Sequence, residues 1–287
     1  MKVVLAKTAG FCMGVGLALK KLDSLVREKV RGDKPGQGQI LTLGPIIHNP
    51  QVLEEYEALG VLRIDAPEQA PPGSTVVIRA HGIPRDKEEE LRQRGVGVVD
   101  ATCPKVKKAQ LLIAEQAGNG RVLLLYGEEN HPEVRGLLSY ADNGSEVFDS
   151  LEGLASVLRP GGKYFLAAQT TQDKALFQDI KEYLSRHADP ETPILETICD
   201  ATRVRQREAV AIARQVDKMV VAGGFISGNT RRLVKVVEDQ GVLCVHVETA
   251  DQLRPEDFSG CKIIGLTAGA STPDKIIEKV YSTLESF

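Results

Sequence analysis

The sequence contains no tryptophan, and none of its apolar stretches approaches the roughly 20 residues that a membrane-spanning helix needs. Its 287 residues carry a formal net charge of only −3, so no overall field favours nucleic acid or an anionic membrane as a partner. Basic residues interleaved with aromatic ones, which many single-strand nucleic-acid surfaces use, are also missing. We therefore expect a globular protein that binds neither nucleic acid nor membrane.

The cysteines lack the pattern of a secreted protein. There are five of them, an odd and widely spaced set without a Cys-x-x-Cys pair, and the segment Met1–Ala6 is too short for the core of a signal peptide. These features argue against a disulfide framework and for thiols kept reduced in a cytoplasm. A Gly-x-x-x-x-Gly-Lys-Ser/Thr loop is absent as well, which argues against a mononucleotide P-loop.

Three of the cysteines occupy matching places, each between a strand-like run and a helical run, at nearly even spacing. They are Cys12, Cys103 and Cys199. Pro104 suits the first turn of a helix, so Thr102 or Cys103 is expected near an N-cap. A thiol there lies at the positive end of the helix dipole, which favours the thiolate. Cys244 and Cys261 instead sit inside strand patterns, and we expect them to be structural.

A repeat extends beyond the cysteines, because each third of the chain also has two strands that end in polar, glycine-bearing loops. These loops carry His48, His81, His131, Glu133, Thr170, Ser227, Asn229 and Ser271. Ligands of open parallel sheets bind outside the carboxyl ends of the strands. Three such edges facing inward would place three thiols and these polar side chains around one cavity.

Strand and helix patterns alternate throughout, which predicts an α/β fold with mainly parallel sheets. We expect three similar units, bounded at 13–101, at 102–197, and at 198–287 together with 1–12. Residues 13–30 read as an amphipathic helix with Leu17, Leu22, Leu25 and Val26 on one face. Residues 31–39 are rich in glycine and polar side chains, which predicts a surface loop.

The residues alone leave the chemistry of the three thiols open. They could be buried small hydrophobes, part of a Cys3His zinc site, or ligands of an iron–sulfur cluster whose fourth iron keeps an open position. Histidines with Ser and Asn suit an anion such as a phosphate. Glu133 could be a proton donor or only an acid that stabilises a helix start. His187 and His246 are expected on the surface and in a structural role, respectively.

Seven motifs resemble, in order from residue 10 to about residue 275, the 4-hydroxy-3-methylbut-2-enyl diphosphate reductases of the LytB family. They are Gly10–Val15, Ala80–Gly82, Asp100–Pro104, His131–Val134, Gln169–Thr171, Ser227–Thr230 and Thr267–Asp274. The resemblance implies the last step of the non-mevalonate isoprenoid pathway, in which an allylic alcohol diphosphate loses its hydroxyl to give isopentenyl and dimethylallyl diphosphates. It also implies a pseudo-threefold trefoil of three α/β domains around one [4Fe–4S] cluster.

Residue roles follow from the same resemblance. It implies that Cys12, Cys103 and Cys199 hold the cluster and leave one iron open. His48, His81, Ser227, Asn229 and Ser271 would bind the diphosphate. Glu133, with Thr170 and His131, would deliver a proton beside the substrate hydroxyl. It further implies an external electron donor of the ferredoxin or flavodoxin type, and we expect a monomer.

The sequence departs from the family at one motif. Phe225-Ile226 stands where the family usually has Lys-Asn, so a polar, basic approach to Ser227 and Asn229 has become apolar. A non-enzymatic iron–sulfur carrier or redox sensor and a zinc hydrolase remain alternatives. A carrier needs neither a phosphate site nor an acid, and the colour of the anaerobically purified protein separates iron from zinc.

Overall fold

A computed structural model of the chain describes residues 1–32 and 38–287. Its strands are β1 (Lys2–Leu5), β2 (Ile40–Leu43), β3 (Val61–Ile64), β4 (Thr75–Ile78), β5 (Gly97–Asp100), β6 (Val122–Tyr126), β7 (Ser145–Phe148), β8 (Tyr164–Ala168), β9 (Lys218–Ala222), β10 (Cys244–Val247) and β11 (Ile263–Ala268). Its helices are α1 (Met13–Arg31), α2 (Pro50–Ala58), α3 (Arg85–Gln93), α4 (Pro104–Gly118), α5 (Pro132–Leu138), α6 (Leu151–Val157), α7 (Lys174–His187), α8 (Asp200–Ala213), α9 (Gly228–Glu238) and α10 (Asp274–Ser286). Three short 3-10 turns cover Pro67–Gln69, Ala250–Gln252 and Pro255–Phe258.

The chain divides into two compact units. The first unit consists of Met1–Gly16, Ile47–Glu54 and Cys199–Phe287, and the second of Leu17–Ile46 and Glu55–Ile198. Within the described ranges, no helix is both long enough and apolar enough to span a membrane.

The first unit is built on one sheet in the order β1-β11-β9-β10, with every pair of neighbours parallel. Alternate residues of the central strand β9 enter two different cores. Met219 and Val221 pack with α8 and α9, whereas Val220 and Ala222 pack with α10. A parallel strand covered by helices on both faces must be apolar on both, which explains the uninterrupted run Met219–Ala222.

The second unit contains two parallel sheets, ordered β3-β2-β4-β5 and β7-β6-β8. The central strand β6 again divides its side chains between two cores. Leu123 and Leu125 pack with α4 and α5, and Leu124 and Tyr126 pack with α6 and α7. The predicted fold class is therefore confirmed: the protein is α/β, with three similar parallel sheets. The three domain boundaries expected from the repeat stay a prediction.

Helix α1 corrects one predicted core residue. Leu22, Leu25 and Val26 are buried as expected, but Leu17 is 39% exposed. At 3.6 residues per turn, a residue five positions before Leu22 lies roughly 140° around the axis from it, away from the buried stripe. The predicted loop at 31–39 is also shortened, since Arg31 still belongs to α1. Residues 33–37 of that predicted loop lie outside the described part of the chain.

Candidate functional site

The three cysteines of the repeat share one backbone arrangement at the start of a helix. The carbonyl of each accepts the N–H of the residue four positions later: Gly16 for Cys12, Lys107 for Cys103 and Arg203 for Cys199, at 2.9, 2.9 and 3.0 Å. This bond is the mark of an N-cap, where the first N–H groups of the helix are unsatisfied within it. Each sulfur therefore lies at the positive end of α1, α4 or α8 and is half-buried.

Cys244 and Cys261 differ from these three in their surroundings. Both pack against the hydrophobic cores of the first unit, Cys244 beside α8 and α9 and Cys261 beside α10. Burial raises the pKa of the Cys244 thiol to about 12, so this thiol stays protonated near neutral pH. Their packing agrees with the structural role expected from the strand patterns.

In the first unit, the strand ends of β1, β9 and β11 bring their loops together. The Cys12 N–H donates to the Ala270 carbonyl at 3.1 Å, and the Thr272 hydroxyl donates to the Ala222 carbonyl at 3.1 Å. Ser271 lies between these contacts and is buried. Parallel strands end at one edge of a sheet, so Cys12, Ser271 and the loop after β9 share that edge.

The loop after β9 carries Ser227 and Asn229 into the start of α9. Ser227 is the N-cap, and its hydroxyl oxygen accepts the Thr230 N–H at 3.4 Å. Asn229 is only 7% exposed, and within the described ranges its side-chain Nδ2 has no hydrogen-bond partner. A buried amide without a partner at the positive end of a helix suits an anionic ligand.

The backbone of His48 approaches this same loop. A Cβ atom at Gly224 would lie 3.0 Å from the His48 carbonyl oxygen, a distance that real side chains barely reach. Asn49 then caps α2, accepting the Val52 N–H at 3.0 Å. Glycine at position 224 is thus what allows the His48 segment to lie against the loop.

Strand β10 and Glu248, the residue after it, anchor Phe225 of the apolar pair Phe225-Ile226. The Phe225 N–H donates to Glu248 Oε1 at 2.8 Å, and the Phe225 ring meets the His246 imidazole edge-on with centroids 4.6 Å apart. His246 Nε2 lies 2.8 Å from the Gly223 carbonyl, in the structural role expected for it. The replacement of Lys-Asn by Phe-Ile therefore leaves the loop tethered, while the side chains remain 44% and 61% exposed.

In the second unit, Cys103 and His81 lie on neighbouring strand ends. The Cys103 N–H donates to the Ala80 carbonyl at 2.9 Å, directly before His81. Asp100 fixes the turn between strand β5 and the cysteine, since its Oδ1 accepts the Thr102 N–H at 2.9 Å. Gly82 has φ +72° and passes close to the Thr102 side chain, which requires a residue without Cβ.

His131 is the N-cap of α5 and lies beside His81. Its Nδ1 accepts the Glu133 N–H at 3.1 Å, so in the neutral imidazole the proton is on Nε2. The His81 and His131 rings meet edge-on with centroids 5.4 Å apart. Helix α5 packs closely against the loop after His81. A Cβ atom added to Gly136 would lie only 3.6 Å from the Ile83 carbonyl oxygen.

Glu133 and Thr170 form a buried pair between the strand ends of β6 and β8. Oε1 accepts the Thr170 N–H at 2.6 Å, Oε2 faces the Thr170 hydroxyl at 2.9 Å, and Glu133 is 1% exposed. Burial raises the pKa of Glu133 to about 7, against the opposing effect of the two Thr170 hydrogen bonds. A backbone N–H can only donate, so a proton on this carboxyl is expected on Oε2, facing the hydroxyl.

The structure thus gathers the predicted residues into two sets. The first unit holds Cys12, His48, Cys199, Ser227, Asn229 and Ser271, and the second holds His81, Cys103, His131, Glu133 and Thr170. Their roles in catalysis, substrate binding and metal binding stay predictions. The sequence assigned no role to Gln169, although it opens the Gln169–Thr171 motif: its buried Oε1 accepts the Glu128 N–H at 3.0 Å and holds the β6 and β8 loops together.

Arg205 was also missed, although the sequence carried a signal. It falls among the buried positions of α8, with Thr202 three residues before it and Ala209 four residues after it. A charged residue on the apolar face of an amphipathic helix is rare unless it has a partner. That position alone marks Arg205 for a role inside the protein.

Comparison with known proteins places this geometry in a family. The family model described as LytB protein matches residues 3–285. A relative from Nitratidesulfovibrio vulgaris (strain DP4), named 4-hydroxy-3-methylbut-2-enyl diphosphate reductase, is 58% identical over 294 residues that cover all of both chains.

Two solved structures are similar over nearly the whole chain. The E-1-hydroxy-2-methyl-but-2-enyl-4-diphosphate reductase of Plasmodium falciparum has a TM-score of 0.91 at 26% identity, covering 99% of this chain and 87% of that one. The second is (E)-4-hydroxy-3-methyl-but-2-enyl diphosphate reductase, described as the terminal enzyme of the non-mevalonate pathway. It has a TM-score of 0.69 at 40% identity and full coverage of both chains.

Proposed function

The chain belongs to the LytB protein family, and from this membership we propose that it is a 4-hydroxy-3-methylbut-2-enyl diphosphate reductase. In the proposed reaction the allylic alcohol diphosphate takes up two electrons and two protons and loses its hydroxyl as water. The products are isopentenyl and dimethylallyl diphosphates, and the step is the last of the non-mevalonate pathway. The observation within this protein that carries the proposal is the buried Glu133–Thr170 pair, an acid poised to supply a proton.

Cys12, Cys103 and Cys199 would hold a [4Fe–4S] cluster, one per chain. Their chemistry fits it, because iron–sulfur clusters take thiolate ligands and all three cysteines lie at helix N-termini, the positive ends of the helix dipoles. When bound, a cluster with only three cysteine ligands supplies electrons and an open iron that acts as a Lewis acid. Cys244 does not fit this role, since its thiol stays protonated in its core.

Glu133 would donate the proton that lets the hydroxyl leave as water. An acid is most effective when its pKa lies near the working pH, and burial brings that of Glu133 to about 7. Its proton on Oε2 faces the Thr170 hydroxyl, which can accept it on one side and donate its own on the other. His131 would keep the carboxyl in place by accepting the Glu133 N–H and would present its Nε2–H to the substrate.

His48, His81, Ser227, Asn229 and Ser271 would bind the diphosphate. The oxygen of Ser227 is engaged by the Thr230 N–H, which leaves its hydroxyl hydrogen for an anion, and the Asn229 amide is buried without a partner among the described residues. The start of α9 adds its dipole. Phe225-Ile226 replaces Lys-Asn, so no lysine here would help to stabilise the negative charge of the diphosphate. The histidines and the start of α9 would therefore have to stabilise more of that charge than in relatives with the lysine.

The proposal also includes an external electron donor of the ferredoxin or flavodoxin type and a monomeric enzyme in the cytoplasm. Reduced thiols are a requirement of the cluster, and the cysteine pattern of the sequence is that of a reducing compartment. Neither nucleic acid nor membrane has a place in the reaction.

Anaerobic turnover tests the proposal. Protein purified without oxygen should be brown, contain iron and sulfide, and convert the hydroxy-diphosphate to the two isomeric diphosphates when an artificial one-electron reductant is supplied. A brown protein that accepts electrons but leaves the substrate unchanged would point to a carrier or redox sensor. A colourless, zinc-loaded protein would contradict the cluster itself.

A further inference from the structure

Helix α8 carries two charged residues one turn apart, and both reach the loop that leads to Cys12. The Arg205 guanidinium is 4% exposed; its Nη2 donates to the Gly10 carbonyl at 2.9 Å and its Nη1 to the Ala268 carbonyl at 2.6 Å. It therefore joins the end of β11 to the residues after β1. The planar guanidinium fork suits two acceptors held at fixed positions.

Glu208 holds the same loop from the next turn of the helix. Its Oε1 accepts the Lys7 N–H at 2.8 Å, and its Oε2 accepts both the Thr8 N–H at 2.8 Å and the Thr8 hydroxyl at 2.6 Å. Burial alone would raise the pKa of Glu208, but the hydrogen bonds from Thr8 and Lys7 outweigh it and lower that pKa. The carboxylate is thus charged and committed to the loop backbone.

These contacts connect two of the proposed cluster ligands through a short path. Cys199 is the N-cap of α8, and Glu208 and Arg205 fasten residues 7–10 to this helix, just before Cys12. We call Arg205 and Glu208 the α8 clamp. The clamp binds backbone atoms of the loop after β1 and of the end of β11. We therefore expect the distance between Cys12 and Cys199 to depend on it.

The positive charge of Arg205 is buried near the two cysteines. Burial lowers the pKa of Arg205, while Coulombic interaction with Cys12, Glu208 and Cys199 acts in the opposite direction, so the two cysteines lie close enough to interact with the guanidinium electrostatically. Its Nε is buried and has no hydrogen-bond partner among residues 1–32 and 38–287. A cation so far from water is costly unless negative charge lies near it, and Glu208 is already engaged by the loop.

We propose that Arg205 is a positioning residue that fixes Cys12 relative to Cys199 and raises the reduction potential of the cluster they hold. The inference rests on the proposed function for the cluster, but the clamp itself does not. Reducing a thiolate-held cluster by one electron, taken from the external donor, adds one negative charge. A buried cation beside two of the ligands stabilises that reduced state more than the oxidised one.

Redox titration of the iron-loaded protein tests the charge. Arg205→Gln keeps a hydrogen-bond donor but removes the charge, so its midpoint potential should fall below that of the wild type. Arg205→Lys keeps the charge, and its potential should stay close to the wild-type value. The matched control is Arg207→Gln, which neutralises an exposed arginine of the same helix and should leave the potential unchanged because solvent screens it. An unchanged potential in Arg205→Gln would overturn the proposal.

Iron loading covers the case in which a variant cannot hold the cluster. Loss of iron in Arg205→Gln with retention in Arg205→Lys would support the proposed role of the Arg205 charge. Loss of iron in both variants would assign the effect to the two hydrogen bonds alone and overturn that role. Hydrogen exchange of residues 6–12 in the same proteins before iron loading tests the clamp separately. Arg205→Gln and Glu208→Gln should exchange there at least several-fold faster than Arg207→Gln. Equal exchange would overturn the clamp, and a wild type that takes up no iron would instead overturn the proposed function.

Discussion

At the scale of single residues, Glu133 shows how burial changes chemistry. The same carboxyl on the surface would be ionised throughout the neutral range, whereas here desolvation brings its pKa to about 7. Thr170 supplies two hydrogen bonds that favour the ionised form, but they do not cancel the effect of burial. The position that qualifies Glu133 as an acid therefore also costs stability when the carboxyl is ionised.

The pH dependence of stability should show this cost. The native state holds the Glu133 proton up to about pH 7, whereas the unfolded chain releases it near pH 4.5, so between these values the native state binds more protons. Stability from this residue is then full below pH 4.5 and is lost as the pH rises through 7, by about 3 kcal/mol at most. In Glu133→Gln, denaturant unfolding should show a smaller loss of stability from pH 5 to pH 8. An identical loss in both proteins would contradict the raised pKa.

Three of the cysteines lie at helix N-termini and two pack against hydrophobic cores, and substitution should affect cluster retention only in the first group. Serine at position 12, 103 or 199 should abolish cluster retention, because a hydroxyl is a poor ligand for a soft, thiolate-held centre. Cys244→Ala and Cys261→Ala are the matched controls, since both thiols pack against hydrophobic cores. Iron and sulfide content after anaerobic purification measures the effect. A protein that loses its iron on Cys244→Ala and keeps it on Cys12→Ser would refute the assignment.

At the scale of elements, the loop between β9 and α9 is shaped by its first residue. Gly223 has φ +142°, a conformation that side chains rarely adopt, and a Cβ there would lie 2.6 Å from the Thr272 hydroxyl and 2.9 Å from that of Thr230. His246 and Glu248 then tether the loop to β10. Ser227 and Asn229 inherit their positions from these constraints.

Gly223→Ala should therefore weaken both the fold and the proposed anion site. Backbone strain of this kind costs about 1–3 kcal/mol, and the displaced hydroxyls add to it. Gly118→Ala is the control: Gly118 ends α4, and a Cβ added there would contact no other described part of the chain within 4 Å apart from its own helix, so alanine should be neutral or stabilising by about 0.5–1 kcal/mol. Urea unfolding and competition by inorganic diphosphate measure the two effects. Unchanged diphosphate affinity in Gly223→Ala would show that this loop takes no part in binding the diphosphate.

At the scale of the whole molecule, the features that the sequence predicts well are the apolar strands and the repeated elements. Short apolar runs such as Met219–Ala222 and Leu123–Tyr126 are typical of buried strands, and prolines or polar residues after them mark where helices begin. The equal placement of three cysteines before helices follows from the same pattern. These signals are local, so a single chain suffices to find them.

What could not be predicted depends on contacts between distant segments. Strand β3 was missed because Val61–Ile64 has only two buried residues, and its place at the sheet edge comes from pairing with β2. The bonds of Thr170 to Glu133 and of Glu208 to Thr8 join residues far apart in the chain. Leu17 was misplaced because a helix can bear a leucine outside its buried stripe at little cost.

Single turnover of the iron-loaded Glu133→Gln protein tests the central claim most directly. Glutamine keeps the shape and hydrogen-bonding capacity of the side chain but has no proton to give. The variant should keep its cluster and bind the hydroxy-diphosphate, yet react roughly 10²–10⁴-fold more slowly, the usual worth of general acid catalysis. Glu129→Gln, an exposed acid four residues earlier, should react at the wild-type rate. Wild-type turnover by Glu133→Gln would contradict the account and make His131 the leading source of the proton.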